Sequence, residues 1–65
     1  MEDNPIYQSY SRLEQILGDS MIDASKFING INSAGTRVRK AMQEVKKIAQ
    51  EIRLEVQEQK NSIPA

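Results

Sequence analysis

The stretch "NGINSAG", Asn29 to Gly35, is the one concentrated cluster of turn residues in a chain of 65, and it separates two long stretches of helical periodicity. Gly30 can take up the left-handed backbone that closes a helix, and Lys26 falls in the last turn, where the helix dipole favours a cation. Asn32 or Ser33 can cap the helix that follows. Before the cluster, Ile6, Tyr10, Leu13, Leu17, Met21, Ala24, Ile28 and Ile31 recur every three or four residues, with Ile16, Ile22 and Phe27 widening that face. Asp3 or Asn4 supplies a cap, and Pro5 stands where a missing N–H costs nothing. Gly18 costs about 1 kcal/mol relative to alanine without ending the helix. After the cluster, Ala34, Val38, Ala41, Val45, Ile48, Ile52 and Val56 repeat at the same spacing, flanked by Met42 and Ala49.

This pattern predicts one all-α domain, with a helix over about residues 5–29, a turn at about 30–33, a helix over about 33–60 and a short tail at 61–65 containing Pro64. A short loop between long amphipathic helices folds them into an antiparallel two-helix hairpin, about 35 to 40 Å long at 1.5 Å per residue. Two helices cannot cover two wide apolar stripes, and a core of this size is marginal alone. The expected solution is a homodimer forming a four-helix bundle.

Without cysteine there is neither a disulfide framework nor a thiolate nucleophile, and without histidine the commonest general base and metal ligand are missing. Enzymatic, cofactor and metal functions are therefore not expected. The opening "MEDNPIYQ" lacks the cationic and apolar regions of a signal peptide, and no apolar run is long enough to span a bilayer, so a soluble, cytoplasmic chain without a membrane partner is expected. Formal net charge is zero but segregated: minus four up to Ser25, plus five from Lys26 to Lys47 and minus one thereafter. Such segregation concerns partners more than fold.

On a helical wheel, Lys40 and Lys47 share a side with Glu44, Glu51 and Glu58, and the pairs Lys40–Glu44 and Lys47–Glu51 have the spacing of ordinary intrahelical salt bridges. Arg39, Lys46 and Arg53 repeat every seven residues on the opposite flank, with Gln43, Gln50 and Gln57 between them and no acid. Such a row suits a polyanion, supplying charge and hydrogen-bond donors without a concave pocket. Lys26 and Arg37 add positive charge at the turn. The small residues Ser33, Ala34, Gly35 and Thr36 leave first-turn amides open to an anion there. Gly30, Gly35 and Thr36 echo part of a P-loop but lack its lysine and its preceding strand, so no nucleotide or other small-molecule substrate is expected. Glu51, Glu55 and Glu58 lack the histidine of a di-metal bundle site. Tyr7 and Tyr10 read as packing residues rather than base-stacking platforms.

The run "SAGTRVRKAMQEVKKIAQEIRLEVQEQKN" resembles the short bacterial linker-histone-like proteins grouped with the chlamydial histone-like family, which carry a Gly-Thr-Arg type turn followed by a long Arg- and Lys-rich helix. The resemblance covers about Gly30 to Asn61 and is densest at Gly35-Thr36-Arg37-x-Arg39-Lys40 and Ala49-Gln50-Glu51-Ile52-Arg53. It implies a nucleoid-associated, DNA-binding helical hairpin without enzymatic activity. The family's cationic positions fall here on Arg37, Arg39, Lys40, Lys46, Lys47 and Arg53. Where family turns carry lysine this chain has Asn32, and it lacks the lysine-rich tail of the chlamydial members.

The expected function is therefore binding of double-stranded DNA through the phosphate backbone by a homodimer, with modest affinity, little sequence preference and steep weakening in salt. The acidic first helix confines contact to one surface. The alternative is a helical protein–protein interaction module, in which the apolar stripe pairs with another helical protein and DNA plays no part.

Overall fold

Asn4 starts the first helix. Its backbone is extended, its Oδ1 accepts the Ile6 amide at 2.9 Å, and Pro5 fills the first helical position. The computed structural model describes residues 3–62, in which helix α1 spans Pro5–Ile28 and helix α2 spans Asn32–Ser62. The fold is an all-α antiparallel hairpin, 53 × 19 × 12 Å. No strand occurs among the described residues.

The turn closes as the glycine predicts. Gly30 has φ of 100°, its amide donates to the Phe27 carbonyl at 3.0 Å, and the Ile31 amide donates to the Lys26 carbonyl at 2.9 Å. This is the paired bonding that ends a helix on a left-handed residue. Asn32 and Ser33 form the first turn of α2, and the Ala34 amide donates to the Ile31 carbonyl at 3.1 Å. At its far end α2 includes Asn61 and Ser62, with Ser62 Oγ donating to the Glu58 carbonyl. The remaining tail residues, 63–65 with Pro64, lie outside the described residues.

The seam between the helices follows an alternating three-four spacing, the repeat of a two-stranded coiled coil. In α2 it comprises Ala34, Val38, Ala41, Val45, Ile48 and Ile52, then Glu55 and Gln59. Ala34 and Ile48 are its fully buried apolar side chains. In α1 the seam is Ile6, Ser9, Leu13, Ile16, Ser20 and Asp23 with Ala24, so the apolar face expected there is shifted. Tyr10, Leu17, Met21 and Ile28 stand outside it, at 43% exposure or more. Two serines take the places a longer apolar row would have filled. Ser9 Oγ donates to Glu55 at 2.8 Å and Ser20 Oγ to the Leu17 carbonyl at 3.2 Å, so neither is buried without a partner. Gln59 Nε2 donates to Asn4 Oδ1 at 3.0 Å, tying the open end of the hairpin to the cap of α1.

Candidate nucleic-acid interface

Two ion pairs fix which edge of the seam is which. An Arg12–Glu51 pair crosses between the helices, and Arg37 Nε meets Asp23 Oδ1 at 2.9 Å. Both lie on one edge. On the other edge, helical geometry places Tyr10, Leu17, Met21 and Ile28 of α1 beside Met42, Ala49 and Val56 of α2, giving a broad exposed apolar face.

These pairs correct the expected salt bridges. Neither Lys40–Glu44 nor Lys47–Glu51 forms among the described residues. Glu51 faces the neighbouring helix, where the Arg12 guanidinium is a better partner than a lysine on its own helix, because its planar fork reaches across the seam. Lys40 and Lys47 are left exposed, without an acidic partner among the described residues. Arg37 moves the opposite way. Its Nε donates to Asp23, which offsets part of its charge and leaves the terminal guanidinium nitrogens exposed.

The surface of α2 turned away from α1 therefore carries two cation columns. Arg39, Lys46 and Arg53 form one, Lys40 and Lys47 the other, and Thr36, Gln43, Gln50 and Gln57 run between them; all are exposed. Shallow grooves lined by Thr36, Arg39, Lys40 and Gln43, then by Gln43, Glu44, Lys46, Lys47, Gln50 and Glu51, follow this surface, the second with two carboxylates along its border. Arg53 Nη1 leans on Gln50 Oε1 at 3.5 Å, a loose contact that leaves the guanidinium available. Lys60 extends the first column by one more heptad and was missed in the sequence, although the same spacing marks it. From Thr36 to Lys60 the surface is about 36 Å long at 1.5 Å per residue.

The remaining candidates are distributed around the turn. Ser33 is exposed at the head of the Lys40 column, and Lys26 is exposed in the last turn of α1. Gly35 has a packing role. A Cβ there would lie 2.7 Å from Cδ1 and Cε1 of Phe27, so the aromatic ring lies against its backbone and closes the turn end of the seam. Ala34 is fully buried, which leaves Ser33 and Thr36 as the polar groups exposed at the start of α2.

Among the described residues no group of acids is arranged to hold a metal ion. No described helix is long and apolar enough to cross a membrane. Comparison with family models gives a match to the family described as histone H1-like protein Hc1, over residues 7–62. Neither curated proteins nor solved structures gave a match. The family match takes in both helices and the turn, and the chain belongs to the histone H1-like family.

Proposed function

We propose that this member of the histone H1-like family is a non-enzymatic, nucleoid-associated protein of the bacterial cytoplasm that binds double-stranded DNA through its phosphate backbone. Family membership supports the partner. The observation that carries the contact mode is the outer surface of α2, where Arg39, Lys40, Lys46, Lys47, Arg53 and Lys60 are exposed with no acidic partner among the described residues. Lysine and arginine on a convex helix surface reach phosphates without entering a groove, which gives affinity with little base readout. Lys26, Ser33 and Thr36 extend the contact around the turn. Arg37 contributes through the guanidinium nitrogens that Asp23 does not hold, and Gly35 by letting the turn close.

The working unit is a homodimer. Among the described residues the buried apolar side chains are Ala34 and Ile48, which is little core, while Met21 and Ile28 stand 74% and 81% exposed. Apolar exposure of this extent marks an association surface. Covering it with a second hairpin produces a four-helix bundle.

The test is a mobility shift on random duplex DNA with the variant Lys40→Glu, Lys47→Glu, whose column lies away from the exposed apolar face. Retardation should be lost while helicity by circular dichroism and mass by sedimentation stay unchanged. Undiminished binding by that variant would reject backbone contact through α2 and favour a helical interaction module acting on protein partners.

A further inference from the structure

The apolar face has an orientation built into its borders. On the α2 side it is edged by the cation column Arg39, Lys46, Arg53 and Lys60, and on the α1 side by Tyr7, Glu14, Met21 and Ile28. Cross-seam contacts set the register between these edges. Arg12 lies level with Glu51, Ser9 with Glu55 and Asn4 with Gln59, so Lys46 is level with Leu17 and Arg53 with Tyr10. Glu14 falls between the levels of Lys46 and Arg53.

Two hairpins can close face to face by a twofold axis in two ways. With the turns at opposite ends, α2 lies on α2, Lys46 meets its own copy and Arg39 meets Arg53, so one cation column is pressed against another. With the turns at the same end, α1 lies on α2 in both halves, and Glu14 of each copy sits between Lys46 and Arg53 of the other. Opposed like charges at an interface are disfavoured, whereas interleaved opposite charges fix the pairing. The area is adequate for either. Taking 24 residues of α1 at 1.5 Å each and a width of 19 Å gives about 700 Å² per copy, close to the ~800 Å² per partner of stable complexes.

Resting on the homodimer reading above, we infer that the two hairpins pair with their turns at the same end, and that the dimer bridges two DNA duplexes. In that arrangement the outer surfaces of the two α2 helices point to opposite sides of the bundle. Each presents the row Thr36, Gln43, Gln50 and Gln57 with Lys40 and Lys47 outermost, while Lys46 and Arg53 border the dimer interface beside the partner's Glu14, and a duplex gripping one side cannot reach the other. Turns at opposite ends would instead bring both α2 surfaces to one side, where a single duplex would take both.

The chain has no cysteine, so Ser33→Cys, an isosteric change at an exposed position beside the turn, introduces a single labelling site. Sedimentation should give a dimer mass. Electron–electron resonance between spin labels at that site should give a distance under about 30 Å, whereas turns at opposite ends place the labels more than about 36 Å apart, the length of α1. A dimer with the long distance overturns the orientation and leaves pairing intact; a monomer mass overturns pairing itself. Bridging is read by capture of a fluorescent duplex on beads carrying an immobilised duplex. The protein should raise capture at least tenfold, and Leu17→Asp, which blocks the apolar face outside the hairpin seam, should abolish capture while mobility shifts persist. Normal mobility shifts by the unaltered protein without co-capture would refute bridging and leave DNA binding standing.

Discussion

Ile48→Ala is the sharpest test of the seam. Ile48 is 3% exposed, at the middle of α2, and its substitution removes three carbons from a site lined by Ile16 and by the Arg12 and Glu44 stems. At about 0.8 kcal/mol per buried carbon the transfer loss is about 2.4 kcal/mol, and the cavity left behind raises it to about 3 kcal/mol. For a chain of this size 1 kcal/mol corresponds to about 4–8 °C, so the midpoint should fall by about 12–24 °C in a thermal melt followed at 222 nm. Ile22→Ala is the matched control. It deletes the same atoms from a side chain 60% exposed on the outer surface of α1, and should cost about 0.5 kcal/mol or less. Both melts must be run at one protein concentration, because association adds to apparent stability. Equal losses from the two variants would refute the seam described here.

Asn4→Ala removes both a helix cap and the acceptor for Gln59, and should cost about 1–2 kcal/mol in a urea titration. A change within error would mean that the open end of the hairpin frays. Gly35→Ala gains about 1 kcal/mol of helix propensity yet drives a methyl group into Phe27, so the net effect should be destabilising, with displaced Phe27 ring resonances in the NMR spectrum. Stabilisation with an unmoved ring would contradict the close packing. Arg12→Ala, at an exposed pair, should cost less than about 1 kcal/mol, but it frees Glu51 to draw in Lys47 four residues earlier and so should weaken DNA retention. Unchanged DNA affinity would show that Lys47 takes no part in binding.

The hairpin, its turn at Gly30 and a cap at Asp3 or Asn4 were legible in the sequence because each depends on local chemistry: a left-handed glycine, a short polar side chain, a proline at the first helical position; the structure selects Asn4. The α2 seam from Ala34 to Ile52 was legible too, since its apolar residues fall on one narrow row. The α1 seam was not. That helix carries more apolar residues than one seam holds, and a template of apolar spacing selects Tyr10, Leu17 and Met21 over Ser9 and Ser20, whose burial is made tolerable by Glu55 and a backbone carbonyl. Cross-helix pairs were likewise invisible. Lys47–Glu51 is the natural reading along one helix, and only the antiparallel register brings Arg12 to Glu51. As a result Lys40 and Lys47 stand exposed as a second column beside the one that the heptad of Arg39, Lys46 and Arg53 marks.

The account rests on the outer cations of α2 neutralising phosphates, and the salt dependence of DNA affinity measures that number. Six contacts predict a slope of about −5 in log affinity against log salt, a loss of about a thousandfold between 50 and 200 mM. Arg39→Gln with Lys46→Gln should flatten that slope by about 2. A slope near zero in the unaltered protein, or one that the double substitution leaves unchanged, would contradict the account.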